Sequence, residues 1–190
     1  MDNWETLHDY WGHPGFDNAP EGYLDGGEKS RQLVGFIHEK VKPEHKILEL
    51  GCNVGRNLKY LNIYGYNNLM GVEINKDAIA LGWRSYPDLK ANMICSSIES
   101  IIKSLGDNSF DTIFTMAVLE HIAKESEWIF PEMVRVADKY IVTIEDEWSD
   151  SIRHCPRDYK KIFEPLGMRQ TKEDKWDYVG YSVKARMFEK

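Results

Sequence analysis

Residues 46–57 read Lys46-Ile47-Leu48-Glu49-Leu50-Gly51-Cys52-Asn53-Val54-Gly55-Arg56-Asn57. Residues 47–50 have the length and apolarity of a short buried strand, broken by one carboxylate. Two glycines follow and supply a turn in which backbone approaches a neighbour closely. Arg56 to Leu61 then opens a helix. Strand, turn and helix in this order predict the first unit of a parallel α/β sheet.

The same alternation continues down the chain. Leu69–Ile74, Asn92–Cys95, Phe110–Phe114 and Tyr140–Ile144 read as further strands. Helical patterns occupy Glu28–Val41, Lys76–Trp83, Ile98–Leu105, Ala117–Ala123, Glu127–Ala137 and residues 157–164. Met168 to Phe188 carries alternating segments with no helix between them, and Tyr178–Val183 reads as a terminal antiparallel strand. The expected fold is α/β, doubly wound, with a mostly parallel seven-stranded sheet and an antiparallel final hairpin strand. Residues 1–26 differ in texture: Trp4, Tyr10, Trp11, Phe16 and Tyr23 are interleaved with Asp, Asn, Gly and Pro. We expect an aromatic N-terminal arm or lid there and a single domain over 27–190.

Composition narrows the class. The chain has 190 residues, a net charge of −7 and 42% apolar residues. That supports a folded core and argues against a broad basic surface for nucleic acid. No apolar run reaches the roughly 18 residues of a membrane span. Met1-Asp2-Asn3-Trp4-Glu5 is acidic and polar, wrong for a signal peptide. Cys52, Cys95 and Cys155 have neither CxxC spacing nor even number, which suits a reduced, cytoplasmic setting. His38 and His45 have no paired ligands in sequence, and no metal is expected.

In such a sheet, ligands sit beyond the carboxyl ends of the strands. The turn at 51–55 has no GxxxxGK[ST], so it is not a P-loop; Asn53 stands where GxGxxG needs its middle glycine. Glu49 at the strand end would repel a diphosphate and attract an ammonium. Glu73, ending Gly71-Val72-Glu73-Ile74-Asn75, is placed to accept hydrogen bonds from a ribose diol. A ligand with a ribose and an amine but no phosphate matches S-adenosylmethionine.

Residues 47–58, Gly71–Asn75 and Ser109–Ile122 resemble, in order and spacing, the motifs of class I, Rossmann-like S-adenosylmethionine-dependent methyltransferases, the last being similar to the type 11 group. The resemblance runs from about Gln32 to Ile144. It implies S-adenosylmethionine as cofactor and S-adenosylhomocysteine as product, with Glu49, Gly51, Asn53 and Gly55 at the glycine motif. It further implies Glu73 and Ile74 at the ribose, Ser97 and Ile98 near adenine, and Thr115 and Met116 at the pocket floor. Two positions depart from the family pattern: Asn53 replaces a glycine, and Ser97 stands where many members have Asp.

The acceptor side is less defined. His121, Glu145 and His154 follow strands four and five and are candidate bases; Tyr10, Trp11, Tyr23 and Trp148 are candidate acceptor contacts. The family's LEH segment occurs with different substrates, which also fits a structural role for Glu120 and His121. No Asn-Pro-Pro-Tyr tetrapeptide follows strand four, where amino-methylating nucleic-acid enzymes carry one. The expected partner is a small polar acceptor taking the methyl on O or N, such as a sugar or surface-glycan precursor, with no nucleic acid or membrane and a monomeric or homodimeric chain. A non-catalytic S-adenosylmethionine-binding protein and an NAD-dependent oxidoreductase are the alternatives.

Overall fold

In the computed structural model, residues 4–149 and 151–190 are described, Trp4 by its backbone alone. Met1–Asn3 of the expected arm lie outside the described residues. The arm holds helix α1 (Trp4–Gly12) and two 3-10 turns, Phe16–Asn18 and Pro20–Tyr23. Helix α2 (Gly27–Ile37) leads into β1 (Lys46–Leu50), α3 (Arg56–Ile63), β2 (Asn68–Glu73), α4 (Lys76–Ser85), β3 (Asn92–Cys95) and α5 (Ile98–Ile101). Strand β4 (Phe110–Met116), α6 (Ile129–Val136), β5 (Ala137–Glu145), α7 (Tyr159–Phe163), β6 (Arg169–Tyr178) and β7 (Tyr181–Glu189) complete the order. The seven-stranded sheet runs β3-β2-β1-β4-β5-β7-β6. Strands β1 to β5 pair in parallel, and β7 pairs antiparallel with both neighbours.

Side chains alternate across the sheet, as strand geometry requires. Ile47 packs with α2 and α3 on one face, among Leu33, Phe36, Leu58 and Leu61. Leu48 and Leu50 pack on the other with Ile129, Met133 and Phe163. Glu49 therefore shares the face of Ile47 and points towards α3. The strand order reverses between β1 and β4, so a crevice opens beyond their carboxyl ends.

Three readings need correction. Ala117–Ala123 is not a helix. Ala117 has φ +55°, and Leu119–His121 forms only a 3-10 turn. The N–H groups of Val118 and Glu120 bond the Glu145 carboxylate (2.8 and 3.3 Å); a buried acceptor from β5 captures donors that a helix would need. The expected strand 178–183 straddles a hairpin turn, where Gly180 takes φ +87°. Strand β5 starts at Ala137, three residues before the apolar run of Tyr140–Ile144, because Ala137 already pairs with Phe110.

Candidate active site

A cavity of about 550 Å³ opens at the switch point, within the size range of small-molecule sites. Its floor comes from the strand ends and the turn after β1. One wall comes from the arm, through Leu7, His8, Trp11, Pro14, Asn18 and Tyr23.

The turn after β1 is held by main-chain bonds: the N–H groups of Gly51 and Cys52 both donate to Val72 O (2.8 and 3.0 Å). Gly51 takes φ +74°, and a Cβ there would stand 2.4 Å from Val118 Cγ2. Asn53 takes φ +47°. Asn is one of the few side chains that tolerate this region, and its Oδ1 accepts from the next N–H at 2.8 Å. The departure from glycine thus keeps the turn.

Glu49 is fully buried and burial pushes its carboxyl up to about 8. Its Oε1 accepts from Asn57 Nδ2 at 2.7 Å. Its Oε2 is buried with no hydrogen-bond partner among the described residues. An acidic oxygen left so in a cavity wall can take a cation or donor from a ligand. Asn57 is fixed in turn by Ser30 Oγ (2.7 Å), and Ser30 Oγ accepts from Arg56 Nε (3.1 Å). Arg56 also donates to Asp25 O (2.8 Å), tying the site to the end of the arm.

Glu73 accepts from the N–H groups of Asn53 (2.9 Å) and Asn75 (2.8 Å). Burial raises its pKa and these backbone bonds oppose the rise. Asn75 caps α4 through Asp77 and Ala78 N–H. Ser97 caps α5 through Ser100 N–H, and beside it Glu99 pairs with His8 Nε2 of the arm at 3.0 Å.

On the opposite side, His121 packs between Trp11 (ring centroids 4.5 Å) and His154 (4.7 Å), tilted to both. Its Nδ1 faces Arg153 O at 2.8 Å. A carbonyl only accepts, so Nδ1 carries the proton and the neutral ring leaves Nε2 with a lone pair. Burial lowers the pKa to about 4. The segment 119–122 is clamped by Arg157, buried itself, which donates to Leu119 O (2.9 Å), Ile122 O (2.8 Å) and Cys155 O (3.1 Å).

Of the residues singled out in sequence, the cavity brings together Glu49, Gly51, Asn53, Glu73, Ile74, Ser97, Ile98, Met116, Trp11, Tyr23, His121 and His154. Five others do not line it. Gly55 serves as the left-handed cap of α3, packed on Met93. Thr115 is fully buried on β4. Glu145 lies beneath the loop after β4 and holds its N–H groups. Tyr10 faces the Arg153 guanidinium at 4.4 Å and accepts from Asn18 at 2.8 Å. Trp148 is 46% exposed beside Lys184. The carboxylates after β5 are occupied as well: Asp146 caps the Trp148 and Ser149 N–H groups, and Glu147 forms a bidentate pair with buried Arg186. Sequence reading assigns no role to Ser30, Arg56, Asn57 or Arg157. Arg56 and Asn57, polar residues at the start of a helix just after the turn, carried the one usable signal.

A mostly parallel sheet with a glycine turn and two strand-end acids at its switch point defines a Rossmann-like domain. Residues 48–140 match the family described as Methyltransferase domain, and the fold is that of the class I S-adenosylmethionine-dependent methyltransferases. Magnesium protoporphyrin IX methyltransferase from Synechocystis, solved with bound S-adenosylhomocysteine, has the same fold with TM-score 0.79 at 14% identity, over 97% of this chain and 98% of that one. A methyltransferase from Archaeoglobus fulgidus gives TM-score 0.67 at 18% identity, covering 100% of both chains. Among curated relatives, the ubiquinone biosynthesis O-methyltransferase of Rickettsia bellii is 26% identical over 58% of this chain and 48% of that protein. The 24-methylenesterol C-methyltransferase 2 of Arabidopsis thaliana is 26% identical over 63% of this chain. The match to it spans only 36% of its length.

Proposed function

We propose that the chain transfers a methyl group from S-adenosylmethionine to a hydroxyl of a small acceptor. The observation that carries this is the unpartnered, buried Glu49 Oε2 in the cavity wall. The donor supplies a methyl already activated on a sulfonium. Glu49 would hold the donor's ammonium, Glu73 its ribose hydroxyls, and Ser97 and Ile98 would border the base. Gly51 lets backbone approach, and Met116 floors the pocket. With the donor activated, positioning and exclusion of water carry much of the rate. The arm is suited to that exclusion, since Leu7, Trp11 and Tyr23 line the cavity.

His121 favours O over N as acceptor: it presents an unprotonated Nε2 at the cavity, the form needed to draw a proton from a hydroxyl. Trp11, Tyr23, Tyr178 and Tyr181 line the cavity and offer ring faces to a compact polar acceptor, for which a sugar or surface-glycan precursor is a fitting class. Among the described residues no helix is long and apolar enough to cross a membrane; we infer a cytoplasmic, small-molecule enzyme. Transfer of a labelled methyl across a panel of sugar, phenol and amine acceptors tests this reading. Methylation of amines alone would overturn the hydroxyl assignment.

A further inference from the structure

We propose that Glu120, His121 and His154 bind one divalent transition-metal ion on the acceptor side of the cavity. The ion's binding stands on these residues alone; its role rests on the methyl-transfer reading. One ligand atom from each residue falls within 4.8 Å of the others. His121 Nε2 lies 3.5 Å and His154 Nε2 3.7 Å from the same Glu120 Oε1. Two segments far apart in sequence meet here, joined by Cys155 N–H donating to Glu120 O at 2.7 Å.

The surroundings match how metal-binding histidines are held. Such rings use their second nitrogen to bond a carbonyl, carboxylate or other polar group, which fixes the ligating nitrogen. His121 Nδ1 is on Arg153 O, and His154 Nδ1 is on Ser151 Oγ at 2.6 Å. Glu120 Oε2 accepts from Asp146 N–H, which turns Oε1 to the rings. An imidazole lone pair and a carboxyl oxygen face each other, and a cation or a shared proton would join them. The guanidinium of Arg153 is turned onto Tyr10 instead; Glu145 and Asp146 add negative charge nearby. Two imidazoles and one carboxylate suit Zn²⁺, Mn²⁺ or Fe²⁺ better than Ca²⁺ or Mg²⁺. His121 and His154 line the cavity, so further coordination positions face the acceptor.

An ion there acidifies a bound hydroxyl. The acceptor O–H then breaks with its proton passing to solvent. Its oxygen forms the new bond to the methyl carbon, and the carbon–sulfur pair returns to sulfur as a neutral thioether. In this form of the reaction His121 acts as a ligand to the ion.

Titrating metal-free protein calorimetrically with Zn²⁺ should show one ion per chain with micromolar affinity or tighter. His154→Ala and Glu120→Gln should each weaken it at least about tenfold, while His38→Ala, on the exposed end of α2, leaves it unchanged. Because His154 is partly exposed, its variant keeps the test valid if Glu120→Gln misfolds. Absence of stoichiometric Zn²⁺, or affinity unchanged by His154→Ala, overturns the site. A parallel titration with S-adenosylmethionine separates the two claims. Donor binding without Zn²⁺ removes the metal alone. Zn²⁺ binding without donor binding leaves the site standing and removes the methyl-transfer reading.

Discussion

The proposed donor half of the cavity is local and the proposed acceptor half is not. Glu49, Gly51, Asn53 and Asn57 lie within nine residues, and Glu73 sits one strand over, on the neighbour of β1. By contrast, the acceptor half is assembled from Trp11, His121, Arg153 and His154, which the fold draws from both ends of the chain. Its frame depends on three long-range clamps: Glu145 on the N–H groups of 118 and 120, Arg157 on the carbonyls of 119 and 122, and the Cys155–Glu120 backbone bond. A local half binds a ligand through a short motif that one sequence shows. A distributed half can be respecified by changing loops, leaving the donor motif untouched.

The largest expected effect separates the halves by chemistry. His121→Ala should lower turnover about 100-fold or more while donor affinity changes little. Equal loss of donor affinity would mean that the halves are not independent. Next comes Arg157→Met, which removes the guanidinium donors from three carbonyls, Leu119 O keeping the Ile122 N–H at 3.2 Å. With about 1–3 kcal/mol for each buried group left unsatisfied and partial relaxation, we expect a loss of roughly 2–4 kcal/mol in urea unfolding. Methyl transfer should suffer more than donor binding, because segment 119–122 carries His121. A cost below about 1 kcal/mol would show that the clamp is dispensable.

A smaller effect concerns the arm. Donor binding should slow amide exchange in residues 8–23, through Trp11 and Tyr23 on the cavity wall,. Identical exchange with and without donor would make the arm packing alone. A separate test is the pH dependence of the ligand-free fold. The Glu49 carboxyl sits near 8 when folded and near the ordinary carboxylate value when unfolded. Between the two, the folded state keeps a proton that the unfolded state has released. Stability on this account falls as pH rises from about 4.5 to 8. Glu49→Gln should flatten that slope in thermal melts, and an unchanged slope would assign it to other groups.

How much of this was readable follows the same division. The sheet, its parallel order and the final hairpin were legible because buried strands are apolar and punctuated by turns. Glu49 and Glu73 were legible because a carboxylate at the end of an apolar strand is costly without a purpose. The loop after β4 was misread as helix because the reason against it, the buried Glu145 carboxylate, lies on another strand. His121 and His154 were each noticed, yet their pairing through Glu120 depends on a chain reversal that no spacing encodes. Tyr10 and Trp148 looked like acceptor contacts by composition, and each faces a cation of the protein instead: Arg153 and Lys184.

The central claim is that Glu49 anchors the donor's ammonium in this cavity. Calorimetric titration of S-adenosylmethionine into wild type and Glu49→Gln at pH 7, in two buffers of different ionisation heat, tests it most directly. A cation beside Glu49 favours the carboxylate over the protonated form, so binding to wild type should expel protons. The variant should expel fewer and bind about 10- to 150-fold more weakly, the equivalent of roughly 1.5–3 kcal/mol for a charge-assisted bond. Equal affinity and equal proton release in the two proteins would contradict the account.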